Sequence, residues 1–431
     1  MPAEVVQPAK VLPVTDHGHK LTFFRQSGWL MITAVGSGAL MFGVHFFSKL
    51  IPTAEYRNLE TLLALTMAIP AIPLQMVFVH QSAVALAQDR VRQLAGMIHL
   101  AWFATLGICA LGALVLLFEQ TYFVSLWNLS NPAALWVVLL AVLFTLWMPM
   151  FTGMMQGEQN FMWLGWSQII HGIGRVGSAA LIVVVLGGYA TGIMTGVVIG
   201  LAMATAVGIW QTRRMWAVRA EPFDWKACLK EITPLFFGFG ATQFIFTGDT
   251  LFVNHYLPDQ GAYYGAAGTL SRALVWLVGP LTGVMFPKIV HSTARSEKSN
   301  LLELTLACSA VLAVAGAVGL WILGPWVVRI VYTKAYIDPT TAVLPWYAGA
   351  MLPLCLANVL VNNLLARSRF RIVPVLVVMA VAYGLTLTYI HDTLIHVLQV
   401  LGSVNLVLLG ICAAFTWGGK GAVPIAGKPT A

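Results

Sequence analysis

Apolar residues fill twelve long runs along the chain, and breaks that are polar or rich in glycine and proline separate them. A helix needs about 20 apolar residues to cross a bilayer, and each run is about that long or longer. The pattern therefore predicts an all-α polytopic membrane protein with transmembrane helices near 28–51, 60–83, 94–118, 132–155, 161–187, 190–211, 232–257, 261–289, 301–331, 341–365, 371–391 and 394–417. Because twelve is even, both termini lie on one side.

The 24 Lys and Arg residues are distributed unevenly between the two sides of this arrangement. Eighteen fall on the side of the termini, four fall on the opposite side, and Arg175 and Arg272 lie inside helices. Cytoplasmic loops carry the excess of Lys and Arg in membrane proteins. The asymmetry therefore predicts a multi-pass protein of the cytoplasmic (inner) membrane with both termini cytoplasmic.

The composition supports the membrane assignment and argues against two other kinds of function. The chain is 59% hydrophobic and only 9% charged, which is too few charges to cover a soluble protein of 431 residues. Its net charge of +8 sits in short loops, where membrane orientation explains it better than binding to nucleic acid does. The five cysteines lie far apart with no CxxC pair, so neither a disulfide framework nor a metal site is expected.

Weak internal similarity predicts that the chain contains a duplicated unit of six helices. The pentapeptides at 79–83 and 290–294 both begin Val-His, and Phe161 and Phe370 open the fifth and eleventh helices at nearly the same offset. An even number of helices per unit makes the two copies parallel. We predict a cytoplasmic tail at 1–25, a six-helix lobe at 26–211, an amphipathic cytoplasmic linker at 212–231, a second lobe at 232–417 and a tail at 418–431.

Two charges inside the seventh and eighth helices are the first candidates for function. Asp249 and Arg272 lie about 12 and 16 Å from the turn that joins these helices, so the two side chains can meet at similar depth. A charge in the membrane interior is costly and usually marks a functional pathway. The alternative is an ion pair that only joins two helices.

Further polar residues lie in the first six helices. Gln168, His171 and Arg175 form a stripe on one face of the fifth helix, and Arg175 is predicted to contact substrate or to tie the first lobe together. His45 and Gln75 lie in the first two helices, where a lone histidine is more often a hydrogen-bonded structural group than a proton carrier.

Enzymatic signatures are missing from the sequence. It has no Walker loop, no GxSxG, no HExxH and no acidic metal cluster. We therefore expect a transporter without a cofactor, driven by an H⁺ or Na⁺ gradient or by the gradient of its own substrate.

Several segments resemble one family of exporters. They are residues 248–257, residues 261–267, the Gly279-Pro280 and Phe286-Pro287 pairs, residues 153–161 and residues 54–56. Together they are similar to the polysaccharide or O-antigen (Wzx-like) flippases of the multidrug/oligosaccharidyl-lipid/polysaccharide exporter superfamily. The resemblance implies two helix bundles that rock around a central cavity, lined by helices one, two, seven and eight. The implied substrate is a polyprenyl-pyrophosphate-linked oligosaccharide for surface polysaccharide synthesis, and a polymerase or glycosyltransferase is an implied partner.

The buried charges agree with an anionic substrate, because Arg175 and Arg272 outnumber Asp249. Arg272, Arg175, His45 and Gln75 are the predicted substrate contacts, with Arg272 clamping pyrophosphate bidentately. Asp249 is the predicted ion-coupling residue. A cation-coupled exporter of organic cations from the same superfamily is the main alternative, and a membrane glycosyltransferase or polymerase is a remote one.

Overall fold

The chain folds into helices in the computed structural model, as the apolar runs predict. The structure describes residues 16–42, 51, 55, 59, 62, 63, 66, 69–126, 129, 131–222, 224–295, 301–331 and 337–418. Within these residues there are twelve α-helices and no β-strand. The helices are α1 Asp16–Phe42, α2 Ala71–Ala87, α3 Val91–Leu126, α4 Ala133–Gly157, α5 Phe161–Leu186, α6 Ala190–Trp216, α7 Trp225–Tyr256, α8 Pro258–Ala294, α9 Leu301–Val331, α10 Ile337–Ala366, α11 Val373–Tyr389 and α12 Leu394–Trp417.

Most helix bounds follow the predicted apolar runs. The helices α9 and α12 coincide with the runs at 301–331 and 394–417, and α5 ends one residue before the run at 161–187. Of the helices in the described ranges, nine are long and apolar enough to cross a bilayer. The exceptions are α1, α2 and α7, and the predicted ends at 43–50 and most of 52–68 lie outside the described residues.

The connector between the sixth and seventh helices differs from its predicted form. Its amphipathic part is not a separate helix, because α7 begins at Trp225 and continues without a break to Tyr256. Pro234 lies inside this helix and removes one backbone hydrogen bond without ending it. The surface segment is therefore rigidly joined to the helix that carries Asp249.

The helices pack as two similar bundles. In the first six helices, α1 packs on α5, α2 on α4, and α4 on α6. Six helices later the same pairs recur, with α7 on α11, α8 on α10, and α10 on α12. The two sets meet through α1, α2 and α4 on one side and α7 and α8 on the other. This confirms the predicted parallel repeat of six helices.

Two short turns show the repeat at atomic detail. Gln159 follows α4 with φ of 61°, and Ser368 follows α10 with φ of 53°. The next residue in each turn, Asn160 or Arg369, donates its amide to the carbonyl five residues earlier, at 2.8 and 2.9 Å. The positions are 209 residues apart, the offset that relates Phe161 to Phe370.

Burial differs strongly between helices. Of the residues in its most apolar stretch, 72% are buried in α10, whereas only 6% are buried in α3 and 11% in α9. Helix α10 therefore forms the centre of the second bundle, and α3 and α9 lie at the periphery.

Candidate functional site

Asp249 and Arg272 meet as the sequence predicts. The Nη2 atom of Arg272 donates to Oδ1 of Asp249 at 2.7 Å. Asp249 has no exposed surface, and Arg272 is 9% exposed. The pair therefore joins α7 to α8 deep inside the protein, away from bulk solvent.

Neighbouring residues form further hydrogen bonds with both members of the ion pair. The Tyr264 hydroxyl donates to Oδ2 of Asp249 at 2.6 Å, and the Tyr347 hydroxyl donates to the same oxygen. Arg272 donates through Nε to the Phe246 carbonyl at 3.0 Å, and its Nη2 lies within hydrogen-bond distance of the Tyr347 hydroxyl at 2.6 Å. We call Asp249, Arg272, Tyr264 and Tyr347 the second-bundle cluster.

The second-bundle cluster connects three helices. Asp249 comes from α7, Tyr264 and Arg272 come from α8, and Tyr347 comes from the central helix α10. The Arg272 guanidinium also lies 5.5 Å from the centre of the Tyr347 ring, within the range of a cation–π contact. Because Nε and Nη2 already have protein acceptors, less of the guanidinium fork is available for a ligand than the sequence suggested.

The buried arginine of the first bundle has a different environment. Arg175 is 8% exposed, and its Nε atom is buried without a hydrogen-bond partner. His171, one turn earlier on α5, is 6% exposed, and both of its ring nitrogens are buried without a partner. None of the ion pairs among the described residues includes Arg175.

Tight packing fixes α5 on two sides. A Cβ atom at Gly172 would lie 2.7 Å from the Leu40 side chain of α1. A Cβ atom at Gly200 of α6 would lie 2.6 Å from the His171 carbonyl and 2.8 Å from the Arg175 amide. Small residues let helix backbones approach closely inside membranes. The glycines therefore hold the His171 and Arg175 backbone between α1 and α6.

Gln75, another predicted substrate contact, takes part in a hydrogen-bond network of its own. Gln75 donates to Oε1 of Gln156 at 2.9 Å, and Gln156 donates to the Gly283 carbonyl of α8 at 2.8 Å. Gln75 thus takes part in a chain of hydrogen bonds from α2 through α4 to the second bundle. His45 lies outside the described residues.

Further hydrogen bonds between the bundles lie at one end of the molecule, where the α4–α5 and α10–α11 turns are found. We call this the connector end. His80 of α2 lies 3.3 Å from the Ser368 hydroxyl, and His291 of α8 lies 3.3 Å from the Gly157 carbonyl. Each histidine comes from one bundle and contacts the repeat-related turn of the other bundle. The bundles are therefore closed against each other at the connector end.

The structure brings together only part of the predicted site. Asp249 and Arg272 meet, whereas Gln75 is hydrogen-bonded to Gln156 and the Nε atom of Arg175 has no partner in the described residues. Tyr347 is not among the predicted site residues, because its position beside Asp249 and Arg272 depends on how α10 packs. Within the described ranges, no three His, Cys, Asp or Glu side chains are grouped so that they could hold a metal ion.

Comparison with solved structures identifies the fold. The chain is similar to a MOP superfamily transporter from Pyrococcus furiosus, at TM-score 0.76 and 12% identity, covering 93% of this chain and 95% of that one. A mutant of the MATE transporter VcmN from Vibrio cholerae gives TM-score 0.73 at 10% identity, covering 91% and 95%. An outward-facing multidrug resistance MATE transporter gives 0.72 at 12%, covering 93% and 94%. At these identities the likeness shows the fold alone.

Sequence comparison gives the family. No curated protein matches the chain at a significant level. The model of the family described as "Lipid II flippase MurJ" matches residues 76–418, which is most of the chain and spans from α2 to α12. With its twelve described helices in two bundles, this chain belongs to the MurJ flippase family of the MOP superfamily.

Proposed function

We propose that this chain moves a polyprenyl-pyrophosphate-linked saccharide across the cytoplasmic membrane by alternating access. The observation that carries the proposal is the balance of buried charge. Among the described residues, Asp249 is the only buried carboxylate, and Arg272, Tyr264 and Tyr347 all donate to it. Arg175 is also buried, and none of the ion pairs in the described ranges includes it.

An uncompensated buried cation favours an anionic ligand. A guanidinium matches the oxygens of phosphate groups bidentately, and the interaction is stronger away from water. A pyrophosphate linkage supplies several such oxygens at the point where a lipid carrier joins its sugar. The proposed substrate therefore complements the interior of the protein.

Two classes of substrate share this linkage. The family description names lipid II, and the sequence resemblance implies a lipid-linked oligosaccharide for surface polysaccharide. Both join a saccharide to a polyprenyl carrier through pyrophosphate, and we propose recognition of that common part. Enzymes that assemble or polymerise the saccharide are the proposed partners.

Export of organic cations is the second candidate, since the MATE neighbours have the same fold. A transporter of cations needs a buried carboxylate that is free to pair with the drug. Asp249 already accepts hydrogen bonds from three protein groups. The buried charge of the described residues therefore favours the anionic substrate.

The proposal includes the energy source and orientation predicted from sequence. The sequence has no ATP-binding motif, so we propose that an H⁺ or Na⁺ gradient, or the substrate gradient, drives transport. We also propose that both termini lie in the cytoplasm, which makes the connector end the cytoplasmic end.

Reconstitution in vesicles tests the proposed substrate class. Purified protein is placed in proteoliposomes with fluorescent lipid II, a fluorescent polyprenyl-pyrophosphate oligosaccharide, or a fluorescent phosphatidylcholine as the control. We expect at least one pyrophosphate lipid, and not the control lipid, to move between leaflets, measured by the accessibility of its label to a quencher. Movement of ethidium without movement of either pyrophosphate lipid would instead establish the cation exporter.

A further inference from the structure

Two buried donor groups of α5 have no partner in the described structure. They are the imidazole of His171, with both ring nitrogens unpartnered, and the guanidinium of Arg175, whose Nε is unpartnered. Both side chains are more than nine-tenths buried. Since they are four residues apart, they lie on the same face of the helix, one turn from each other.

This arrangement contrasts with the second-bundle cluster. There, a buried arginine has a carboxylate, a carbonyl and a hydroxyl as acceptors. A buried charge or donor without such acceptors is unfavourable, because the group has lost its water and gained nothing in return. A ligand that supplies acceptor oxygens to His171 and Arg175 would remove that cost.

We propose that His171 and Arg175 form a phosphate-binding subsite inside the first bundle, and that its ligand is the pyrophosphate of the transported lipid. This assignment rests on the proposed function and adds to it the place where the head group is held. The subsite is distinct from the second-bundle cluster, where Arg272 serves as a structural partner of Asp249.

Its depth and rigidity suit this role. Arg175 lies 14 residues from the start of α5, which places it about 21 Å along a helix of 26 residues, near its middle. Gly172 against α1 and Gly200 against α6 hold the backbone on either side. A donor pair on a rigid helix loses little conformational freedom on binding, which favours the anion.

Binding of inorganic pyrophosphate to the purified, detergent-solubilised protein tests the subsite. Arg175→Gln removes the charge, His171→Phe keeps a ring of similar size without donors, and Arg213→Gln is the matched control. Arg213 is an exposed arginine on α6, so its variant has the same change in net charge. We expect pyrophosphate affinity to fall about 10- to 100-fold in the Arg175 and His171 variants, because charge-assisted hydrogen bonds are lost. Arg213→Gln should bind like the wild type.

Stability of the ligand-free protein provides a second readout. Removing an unpaired buried charge should leave the melting temperature unchanged or raise it, whereas removing a structural tie should lower it. If Arg175→Gln does not fold, Arg175→Lys keeps the charge without the planar fork, and we expect weaker pyrophosphate binding. Wild-type pyrophosphate binding in the Arg175 variant that folds would overturn the subsite.

The vesicle assay separates the sources of the phosphate and the two proposals. If Arg175→Gln loses binding of free pyrophosphate but still moves the pyrophosphate lipid at the wild-type rate, the site takes a free anion and the head-group assignment is wrong. If the wild type moves no pyrophosphate lipid, the proposed function fails. Loss of both binding and lipid movement in Arg175→Gln, with both retained in Arg213→Gln, supports the subsite.

Discussion

The two buried arginines differ at the residue scale in how their charge is balanced. Arg272 has an ion pair with Asp249 and three further acceptors, the Phe246 carbonyl and the hydroxyls of Thr250 and Tyr347. Arg175 lacks an ion pair within the described residues, and its Nε has no acceptor. That Arg272 contacts the substrate stays a prediction, and its hydrogen bonds to protein groups do not favour it. We propose that Asp249 and Arg272 together hold α7, α8 and α10 in contact.

A double-mutant cycle tests this structural role. Asp249→Asn or Arg272→Gln alone leaves one uncompensated buried charge and should destabilise the protein by about 3–5 kcal/mol. The double variant removes both charges and should lose less stability than the sum of the single changes. Thermal unfolding of the purified variants measures the effect, with transport as the second readout.

Tyr347→Phe is a graded control for that cycle, because it removes one hydroxyl and leaves the ion pair in place. We expect a smaller loss than in either single charge variant. If the double variant is as unstable as the sum of the single variants, or if it folds normally but transports nothing, Arg272 has a role beyond neutralising Asp249.

The sequence predicted this pair but not its surroundings. Two opposite charges at similar depth on consecutive helices are visible as a pattern. The participation of Tyr264 and Tyr347 depends on how α10 packs against α7 and α8, which no short-range pattern contains. That His171 has no hydrogen-bond partner among the described residues is likewise a property of the folded chain.

At the scale of elements, α5 is held between α1 and α6 by residues without side chains. A Cβ atom at Gly200 would lie within 2.8 Å of backbone atoms of α5, which cannot move aside as a flexible side chain can. Gly177, also on α5, has nothing within 4 Å of the position of its Cβ atom. Substitutions at these two glycines therefore distinguish the effect of close helix packing from the effect of helix propensity.

Gly200→Ala should destabilise the protein by about 1–3 kcal/mol, because the added methyl group forces the two helices apart. Gly177→Ala should be neutral or stabilising by up to about 1 kcal/mol, because alanine favours the helix. Melting temperatures of the purified variants compare the two changes. Equal effects at both positions would show that close packing of α5 on α6 is unimportant.

Helix bounds were largely predictable, and their joins were not. The bounds of α9 and α12 follow directly from apolar runs that end in polar breaks. The start of α7 does not, because its first two turns are polar enough to predict a surface segment, yet the helix continues through Pro234. Whether the helix continues through this segment depends on its packing in the folded protein, which cannot be predicted from composition.

At the scale of the whole molecule, the two bundles make matching contacts with each other at the connector end. His80 and His291 each reach from one bundle to the repeat-related turn of the other. Gln81 adds a hydrogen bond to Glu231 at 3.0 Å at the same end. Alternating access requires these contacts to break when the connector end opens.

Spin labels measure that opening. Arg90 and Arg371 are exposed, lie at the connector end and belong to different bundles, so labels at cysteines introduced there report the separation of the bundles. On a background without the native cysteines, His80→Ala and His291→Ala should shift the distance distribution to longer values. The control is His396→Ala, since His396 is exposed and lies in the first turn of α12, at the end of the molecule opposite the connector end. An unchanged distribution in both test variants would contradict a role for the histidines in closure.

The peripheral position of α3 and α9 has a consequence for the surrounding lipid. These helices have 36 and 31 residues, or about 54 and 46 Å, whereas the hydrocarbon core is about 30 Å thick. A helix longer than the core must tilt, extend into the head-group region or thicken the bilayer around it. Because so little of α3 and α9 is packed against protein, acyl chains are their main neighbours and bilayer thickness helps set their tilt. The rate of lipid movement should therefore depend on the acyl-chain length of the membrane in which the protein is reconstituted.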